Sequence, residues 1–298
     1  MRSTSGKITV ARSVDRIGTR ANGVTDRIGR LFITDAYPST VSDYDTVSAD
    51  VEHEDEIPED HPRYQDLLTR HRIEKGVDKG ITHLQGMHAE GRGSAFDYLL
   101  GEETIPSAND AERAAAAELL LAERPVLSIN GNVAALVPGE MVDLADAVGA
   151  DLEVNLFNRT PERIAAIASH LREHGAEEVK GLEGDARIPN LDHQRAKVDA
   201  DGIYAADVVL VPLEDGDRAE ALDEMGKTEI VIDLNPLSRS PQVAEVPIVD
   251  NIVRAVPNMT EHARELAGSN EDALRTIVDE FDRTKALEAA ESRIRNGL

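Results

Sequence analysis

Five short apolar runs, each closing in polar residues and each separated from the next by a helix-like or loop-like stretch, constrain this chain more than any other feature. They lie at 126–129, 152–157, 208–213, 229–232 and 246–249, and Val, Ile and Leu dominate them. A strand apolar at consecutive rather than alternate positions is covered on both faces, as in a parallel sheet. Strands alternating with helices therefore predict an α/β fold, a doubly wound, mostly parallel sheet with flanking helices. The run at 229–240, EIVIDLNPLSRS, is the clearest case. Ile230, Val231 and Ile232 make a buried strand, and Pro236 forces the chain out of the sheet. At that exit Asp233, Asn235, Ser238 and Ser240 offer polar groups, and Arg239 offers a planar cation suited to phosphate or carboxylate.

Open α/β sheets bind ligands just beyond the carboxyl ends of their strands. The other exits carry Asn130 and Asn132, Arg159, Asp215 and Arg218, and Asn251 and Arg254, so the strands end in one polar rim. Between them, a helix through Leu144 stops at Gly149, and Thr160 and Pro161 open a helix that Gly175 closes. Residues 185–202 read as a loop or short helix, a further helix reaches Met225, and Ser269 and Asp272 cap a last helix. Upstream, Asp60 and Pro62 start a helix whose apolar face is Tyr64, Leu67, Leu68 and His71. Gly76, Gly80, Gly86, Gly91 and Gly93 predict a turn region, and Ser107 with Asp110 forms a capping box for a helix over 108–123. The expected organisation is one domain over 51–298, helical over 60–123 and sheet-based over 124–298.

No G-x-G-x-x-G follows a strand and no Walker A lysine motif is present, which argues against the commonest dinucleotide and P-loop sites. The stretch 214–218, EDGDR, supplies Glu214, Asp215 and Asp217, hard oxygen ligands for Mg2+ or else a solvated acidic loop. Arg70, Arg92, Arg218, Lys227, Arg239 and Arg254 suit a polyphosphate, and glycine-rich backbone lets an anion approach closely. The residues thus point to a phosphate-rich ligand such as a nucleotide, with Mg2+ as one of the two readings of the acidic stretch, and leave the reaction open.

The formal charge of −25, from 57 acidic against 32 basic residues, disfavours nucleic acid as a partner. With no cysteine, disulfides, thiolate metal sites and a cysteine nucleophile are excluded. Apolar runs are too short for a bilayer and no signal core opens the chain, so a cytoplasmic location is expected. The first fifty residues differ: through Arg30 they are basic, and 36–60 is acidic and loop-like. They read as a disordered tail or a spurious N-terminal extension, without a part in function.

Six blocks carry a resemblance: HPRYQDLLTR (61–70), EGRGSAFDYLLGE (90–102), INGNVAALVPGE (129–140), ADVVLVPLEDGDRAEAL (206–222), IDLNPLSRS (232–240) and IVDNIVRAVP (248–257). Together they resemble the archaeal 4-phosphopantoate:β-alanine ligases, or phosphopantothenate synthetases. Glu90 and Ser94 depart from that pattern, which has histidine and glutamate there. The resemblance implies a Rossmann-like homodimer that condenses 4-phosphopantoate with β-alanine using ATP. The products would be 4'-phosphopantothenate, AMP and diphosphate, through a phosphopantoyl adenylate, in archaeal coenzyme A biosynthesis. It also implies that ATP is held by Arg70, Arg92, Asp233, Leu234, Asn235, Arg239, Ser240, Asn251 and Ile252. Arg92, Arg218 and Arg239 are expected to stabilise phosphate charge, Asp215 or Glu214 to take a proton or hold Mg2+, and Asn130 and Asn132 to bind pantoate. The rival readings are a ligase for another hydroxy acid and a non-catalytic nucleotide sensor of the coenzyme A pathway.

So large an acid excess repels itself in dilute buffer and is screened by concentrated salt, which points to a haloarchaeon-like, high-salt cytoplasm. Transfer from molar KCl to low-salt buffer is expected to lower the melting temperature and abolish activity. Unchanged thermal unfolding in the two buffers would refute that origin.

Overall fold

The computed structural model describes residues 57–58, 60–61, 63–212 and 216–297. The expectation of a tail or spurious extension over the first fifty residues lies outside them. The strands are β1 (Pro125–Ile129), β2 (Asp151–Val154), β3 (Ala186–Arg187), β4 (Lys197–Val198), β5 (Val208–Pro212), β6 (Thr228–Ile232) and β7 (Val246–Ile248). The helices before β1 are α1 (Tyr64–Asp78), α2 (Leu84–Leu100) and α3 (Pro106–Leu121). Between strands lie α4 (Gly131–Leu136), α5 (Pro138–Val148), α6 (Pro161–Glu173), α7 (Gly216–Glu224) and α8 (Arg239–Val243). After the sheet come α9 (Ile252–Leu266), α10 (Glu271–Glu280) and α11 (Arg283–Asn296).

Five strands form one sheet in the order β2-β1-β5-β6-β7, every pair parallel, and β3 pairs antiparallel with β4. Alternate side chains of the continuous apolar runs enter two cores. Leu127, Ile129, Val208, Leu210, Ile230 and Ile232 pack with residues of α3, α5 and α9. Val126, Val209 and Val211 face the other way, onto Ala221 and Leu222 of α7 and the apolar residues of 188–206. The sheet is therefore covered on both sides, as the runs require. Ala114, Ala115, Ala116 and Ala117 of α3 are fully enclosed, and such small side chains let a helix approach its neighbours closely.

The growth of the sheet reverses after β2: β2 is added on one side of β1, and β5, β6 and β7 on the other. Connections leaving β1 and β5 thus diverge and open a crevice at their carboxyl ends. Asn130 Nδ2 reaches across it to Pro212 O at 3.0 Å.

Several local expectations change. Most of the glycine-rich turn region is α2, capped by His83 Nδ1, which accepts from Gln85 N–H. Gly86 is needed there, since a Cβ would stand 2.3 Å from Asn132 Oδ1. Close packing thus outweighs the helix cost of glycine. Helix α3 starts at Pro106 behind Ile105, with no side-chain cap, so Ser107 and Asp110 form no capping box. A proline in the first turn has no amide to satisfy and presets φ for the helix. Helix α10 is capped by Asn270 rather than Ser269, and α11 follows it. Strand β2 ends at Val154, level with the end of its sheet neighbour β1, so 155–157 leaves the sheet.

The turn after β2 is held from below. Glu153 Oε1 accepts from Asp199 N–H (3.1 Å) and Oε2 from Ile203 N–H (2.5 Å). Asp199 in turn accepts from the amides of Gly181 (2.6 Å) and Gly184 (2.7 Å). Gly181 has φ +87°, and a Cβ there would lie 2.2 Å from Val154 O. Gly181→Ala is expected to cost at least about 2 kcal/mol, from left-handed strain plus a clash with backbone that cannot turn aside. The denaturation midpoint in high salt measures it, and an unshifted midpoint would contradict this account.

Candidate active site

A cleft of about 500 Å³ lies at the carboxyl ends of the strands, roofed by α2. The exits of β2 and β6 supply Leu156, Phe157 and Asn158, and Asp233, Leu234, Asn235 and Ser238. Those strands stand three places apart in the sheet, about 14 Å at the usual strand spacing. Arg92, Gly93 and Phe96 of α2, His83, Gln85, Asn130, Asn132, Arg163 and Arg195 complete the walls.

The exit of β6 is a folded-back turn. Asp233 Oδ1 accepts from Asn235 N–H at 2.9 Å, and Oδ2 accepts from the Ser238 hydroxyl. Asn235 Oδ1 accepts from Leu237 N–H at 3.1 Å. Burial pushes the Asp233 carboxyl up, against the pull of Ser238, the Asn235 amide and the nearby Arg92 charge. Arg92 makes no hydrogen bond or ion pair among the described residues, so its guanidinium is open to a ligand.

The exit of β1 is spent largely on structure. Asn130 Oδ1 accepts from Asn132 N–H (2.9 Å) and Val133 N–H (3.1 Å), while its Nδ2 reaches Pro212 O. Asn132 Nδ2 donates to Gly86 O at 2.9 Å, tying the exit to α2. Both asparagines line the cleft, and the polar atoms just named serve to hold its walls.

Arg163, in the first turn of α6, was not anticipated. It donates through Nη1 to Asn158 O and through Nη2 to Ile81 O (2.8 Å), and its buried Nε has no partner among the described residues. Its partners are neutral carbonyls, so its charge is uncancelled locally, and burial lowers its pKa. Arg195 lines the same end and is 7 % exposed. In sequence, Arg163 is a helix-face arginine and Arg195 sits in a polar stretch; the only available signal was that α6 begins just after the exit of β2. Among the described residues, three arginines thus face the cleft against one carboxylate, Asp233. In a chain of net −25 that is a local inversion of charge.

The structure separates the other expected residues from this cleft. Arg218 is 1 % exposed and donates to Asn155 Oδ1 (2.6 Å) and Ser128 Oγ (3.2 Å), so it braces β1, β2 and α7 rather than facing a ligand. Lys227 is spent on the carbonyls of Tyr204 and Ala206. Arg159 donates to Gly181 O at 2.8 Å, behind the rim. Arg239 is exposed and pairs with Asp217 (2.5 Å) and Glu220 (3.5 Å), while Ser240 beside it is buried. Arg70 is exposed and bonds Asp66, 3.1 Å away. Glu214 and Asp215 lie outside the described residues.

Asn251 and Arg254 border a second hollow of about 280 Å³, with Ser94 and Asp97 of α2 and Asp66 and Thr69 of α1. Ile252 is buried beside them. Arg254 is bound by two carboxylates, Asp97 (2.6 Å) and Asp250 (2.5 Å), which uses its fork internally. Among the described residues no group of three or more His, Cys, Asp or Glu side chains converges as a metal site, and none of the helices is long and apolar enough to cross a membrane.

Glu90 lies on α2, 7 % exposed. Burial first, then the Asp97 and Asp66 charges, push its carboxyl from 4.5 up to about 7. The folded protein therefore keeps a proton between those values that the unfolded chain releases, and stability falls as pH rises through that window. Glu90→Gln is expected to remove this part of the slope, read from denaturation midpoints between pH 4.5 and 7. An unchanged slope in the variant would show that Glu90 ionises normally.

Residues 107–297 match the phosphopantothenate/pantothenate synthetase family. The chain is 56 % identical over 243 residues to the 4-phosphopantoate–β-alanine ligase of Thermococcus onnurineus, covering 81 % of this chain and 93 % of that one. It is 55 % identical to the ligase of that name from Thermococcus kodakarensis, with the same coverage. For the Methanosarcina mazei ligase of that name the identity is 53 %, over 82 % of this chain and 96 % of the relative. With a cleft at the carboxyl ends of a parallel sheet and matches of this length, the chain belongs to the phosphopantothenate/pantothenate synthetase family of ligases.

Proposed function

We propose that this protein condenses 4-phosphopantoate with β-alanine at the expense of ATP, giving 4'-phosphopantothenate, AMP and diphosphate. The observation that carries this reading is the charge of the cleft, where the described residues set three arginines against one carboxylate in a chain of net −25. A ligase of this kind holds two phosphorylated anions side by side, and a cleft spanning the exits of β2 and β6 has room for both. Its relatives are named for this reaction. ATP is assigned to the β6 side, with Arg92 and residues 233–235, and to the neighbouring starts of α8 and α9, with Arg239, Ser240, Asn251 and Ile252. Arg70 belongs to the same set by resemblance. The β2 side, with Arg163, Arg195, Asn130 and Asn132, is assigned to 4-phosphopantoate.

A carboxylate resists attack by an amine because its charge repels nucleophiles and oxide leaves badly. In the first step a pantoate carboxylate oxygen attacks the α-phosphorus of ATP, the bond to the β-phosphate breaks, and diphosphate leaves. Arg92 meets the negative charge that builds on the phosphates, an electrostatic contribution more than a proton transfer. In the second step the β-alanine amine attacks the acyl carbon, AMP leaves with the bonding electrons, and the amine loses a proton. Holding the amine and the acyl carbon together supplies much of the acceleration. Asp215 or Glu214 is assigned that proton on position in the sequence alone.

Mg2+ enters as a companion of the nucleotide phosphates, since it keeps several waters and takes one or two carboxylates. The described residues do not form a cage for it, and Asp217 is engaged with Arg239, so no step is routed through the metal. We further propose a Rossmann-like reading of the sheet in the broad, doubly wound sense, since five parallel strands in the order β2-β1-β5-β6-β7 reverse at β1 and β5, together with a homodimer in a salt-rich cytoplasm.

The test is an assay in molar KCl with ATP, Mg2+, 4-phosphopantoate and β-alanine, with AMP and ADP separated by chromatography. AMP that depends on 4-phosphopantoate is expected. ADP would replace the adenylate by an acyl phosphate, and neither nucleotide product would favour the sensor. Arg92→Ala is expected to lower kcat/KM for ATP at least tenfold, about 1.4 kcal/mol of transition-state stabilisation. Unchanged kinetics would remove Arg92 from the site.

A further inference from the structure

A buried carboxyl pair underlies the start of α9. Glu112 of α3 is fully enclosed, and Asp250, just after β7, is 1 % exposed. Glu112 Oε2 accepts from Asn258 Nδ2 at 3.0 Å, and the same amide nitrogen reaches Thr104 Oγ1 at 3.2 Å. The Thr104 hydroxyl donates to Asp250 Oδ2 at 2.5 Å. Among the described residues no donor reaches Glu112 Oε1, although that oxygen is buried. The Asp250 carboxylate is the neighbouring charge that acts on it most strongly.

With both carboxyls ionised, Glu112 would carry a buried charge with no cation bonded to it, beside an Asp250 whose charge Arg254 already meets, whereas one proton on Oε1 turns the orphan acceptor into a donor. Asp250 is the acceptor of the pair. Its Oδ1 accepts from Asn251 N–H (2.7 Å) and from Arg254 Nε (3.0 Å) and Nη2 (2.5 Å). Arg254 then grips Asp97 of α2 at 2.6 Å, and Asp97 accepts from Asn251 Nδ2 at 2.7 Å. Asn251 Oδ1 caps α9 by accepting from Val253 N–H at 3.2 Å. Further along the α3–α9 seam, His262 meets Asn109 and Glu265, and Arg113 meets Glu265.

We propose that Glu112 is a positioning residue for the nucleotide side of the site: its carboxyl, carrying a proton, donates to Asp250 and so fixes the Asp250–Arg254–Asp97 chain that orients Asn251. It touches no substrate. The proposal rests on the assignment of ATP to the start of α9, and it adds a reason why that helix start is rigid. Burial first, then the Asp250 charge, push the Glu112 carboxyl up to about 9, with Asn258 and the Arg254 charge pulling the other way. The proton is therefore in place at neutral pH and is lost in mild alkali.

The experiment measures ATP affinity, KM for each substrate and kcat in high salt for wild type, Glu112→Gln, Glu112→Ala and Asn251→Ala, with folding checked by circular dichroism. Glutamine donates to Asp250 through its amide and accepts from Asn258, so Glu112→Gln should keep KM for ATP within about twofold. The wild-type KM for ATP should climb above pH 9 while that of Glu112→Gln stays level. Glu112→Ala should raise KM for ATP about tenfold and leave KM for 4-phosphopantoate unchanged.

A general loss of stability would instead depress kcat and move all the KM values together, which overturns the proposal. So would a folded Glu112→Ala with unaltered ATP affinity, or a Glu112→Gln that keeps the wild-type alkaline rise. If Glu112→Gln fails to fold, the proposal is overturned as well, because the neutral isostere should be tolerated. Asn251→Ala separates the two ideas. If it leaves ATP binding intact, the nucleotide assignment falls and the role of Glu112 with it; if it weakens ATP binding while Glu112→Ala does not, only the role of Glu112 falls.

Discussion

A parallel sheet covered on both faces confines polar chemistry to the ends of its strands. Here Leu127 and Ile129 look one way and Val126 the other, so β1 presents apolar contacts to both layers and polar groups only beyond Ile129. The reversal of strand order at β1 and β5 then opens those ends to a ligand. Several polar groups in the interior serve the same edge. Arg218 ties Asn155 to Ser128, Glu153 gathers the amides of Asp199 and Ile203, and Asn130 spans the crevice to Pro212. A charged group enclosed this deeply is tolerated because each is met by oriented dipoles.

The strands were legible in the sequence because consecutive β-branched residues have few other uses. Caps such as Thr160 and C-terminal glycines such as Gly149 were legible for local reasons, one hydroxyl on an amide and one left-handed φ. Helix α2 was not, because Gly86, Gly91 and Gly93 lower its intrinsic propensity, while the contact of Gly86 with Asn132 and the packing of Phe96 and Leu100 come from far along the chain. Helix α9 carries Pro257, which local rules read as a break.

The site was legible in the same uneven way. Arg92, Asp233, Leu234, Asn235, Asn130 and Asn132 do meet in one cleft. Arg218, Lys227 and Arg254 are equally cationic in sequence, yet their partners are interior oxygens contributed from far along the chain. A cation announces charge, not address. Arg163 escaped notice for the converse reason, since its position in the first turn of an ordinary helix says nothing of the carbonyls it grips.

Those carbonyls have a further consequence. An arginine neutralised by a carboxylate offers an incoming anion an exchange, with one ion pair broken for each made. Arg163 grips neutral backbone oxygens of Asn158 and Ile81 instead, so an arriving phosphate displaces no carboxylate. The same uncancelled charge is visible to small anions, so chloride at high concentration would compete with a phosphate for that end of the cleft.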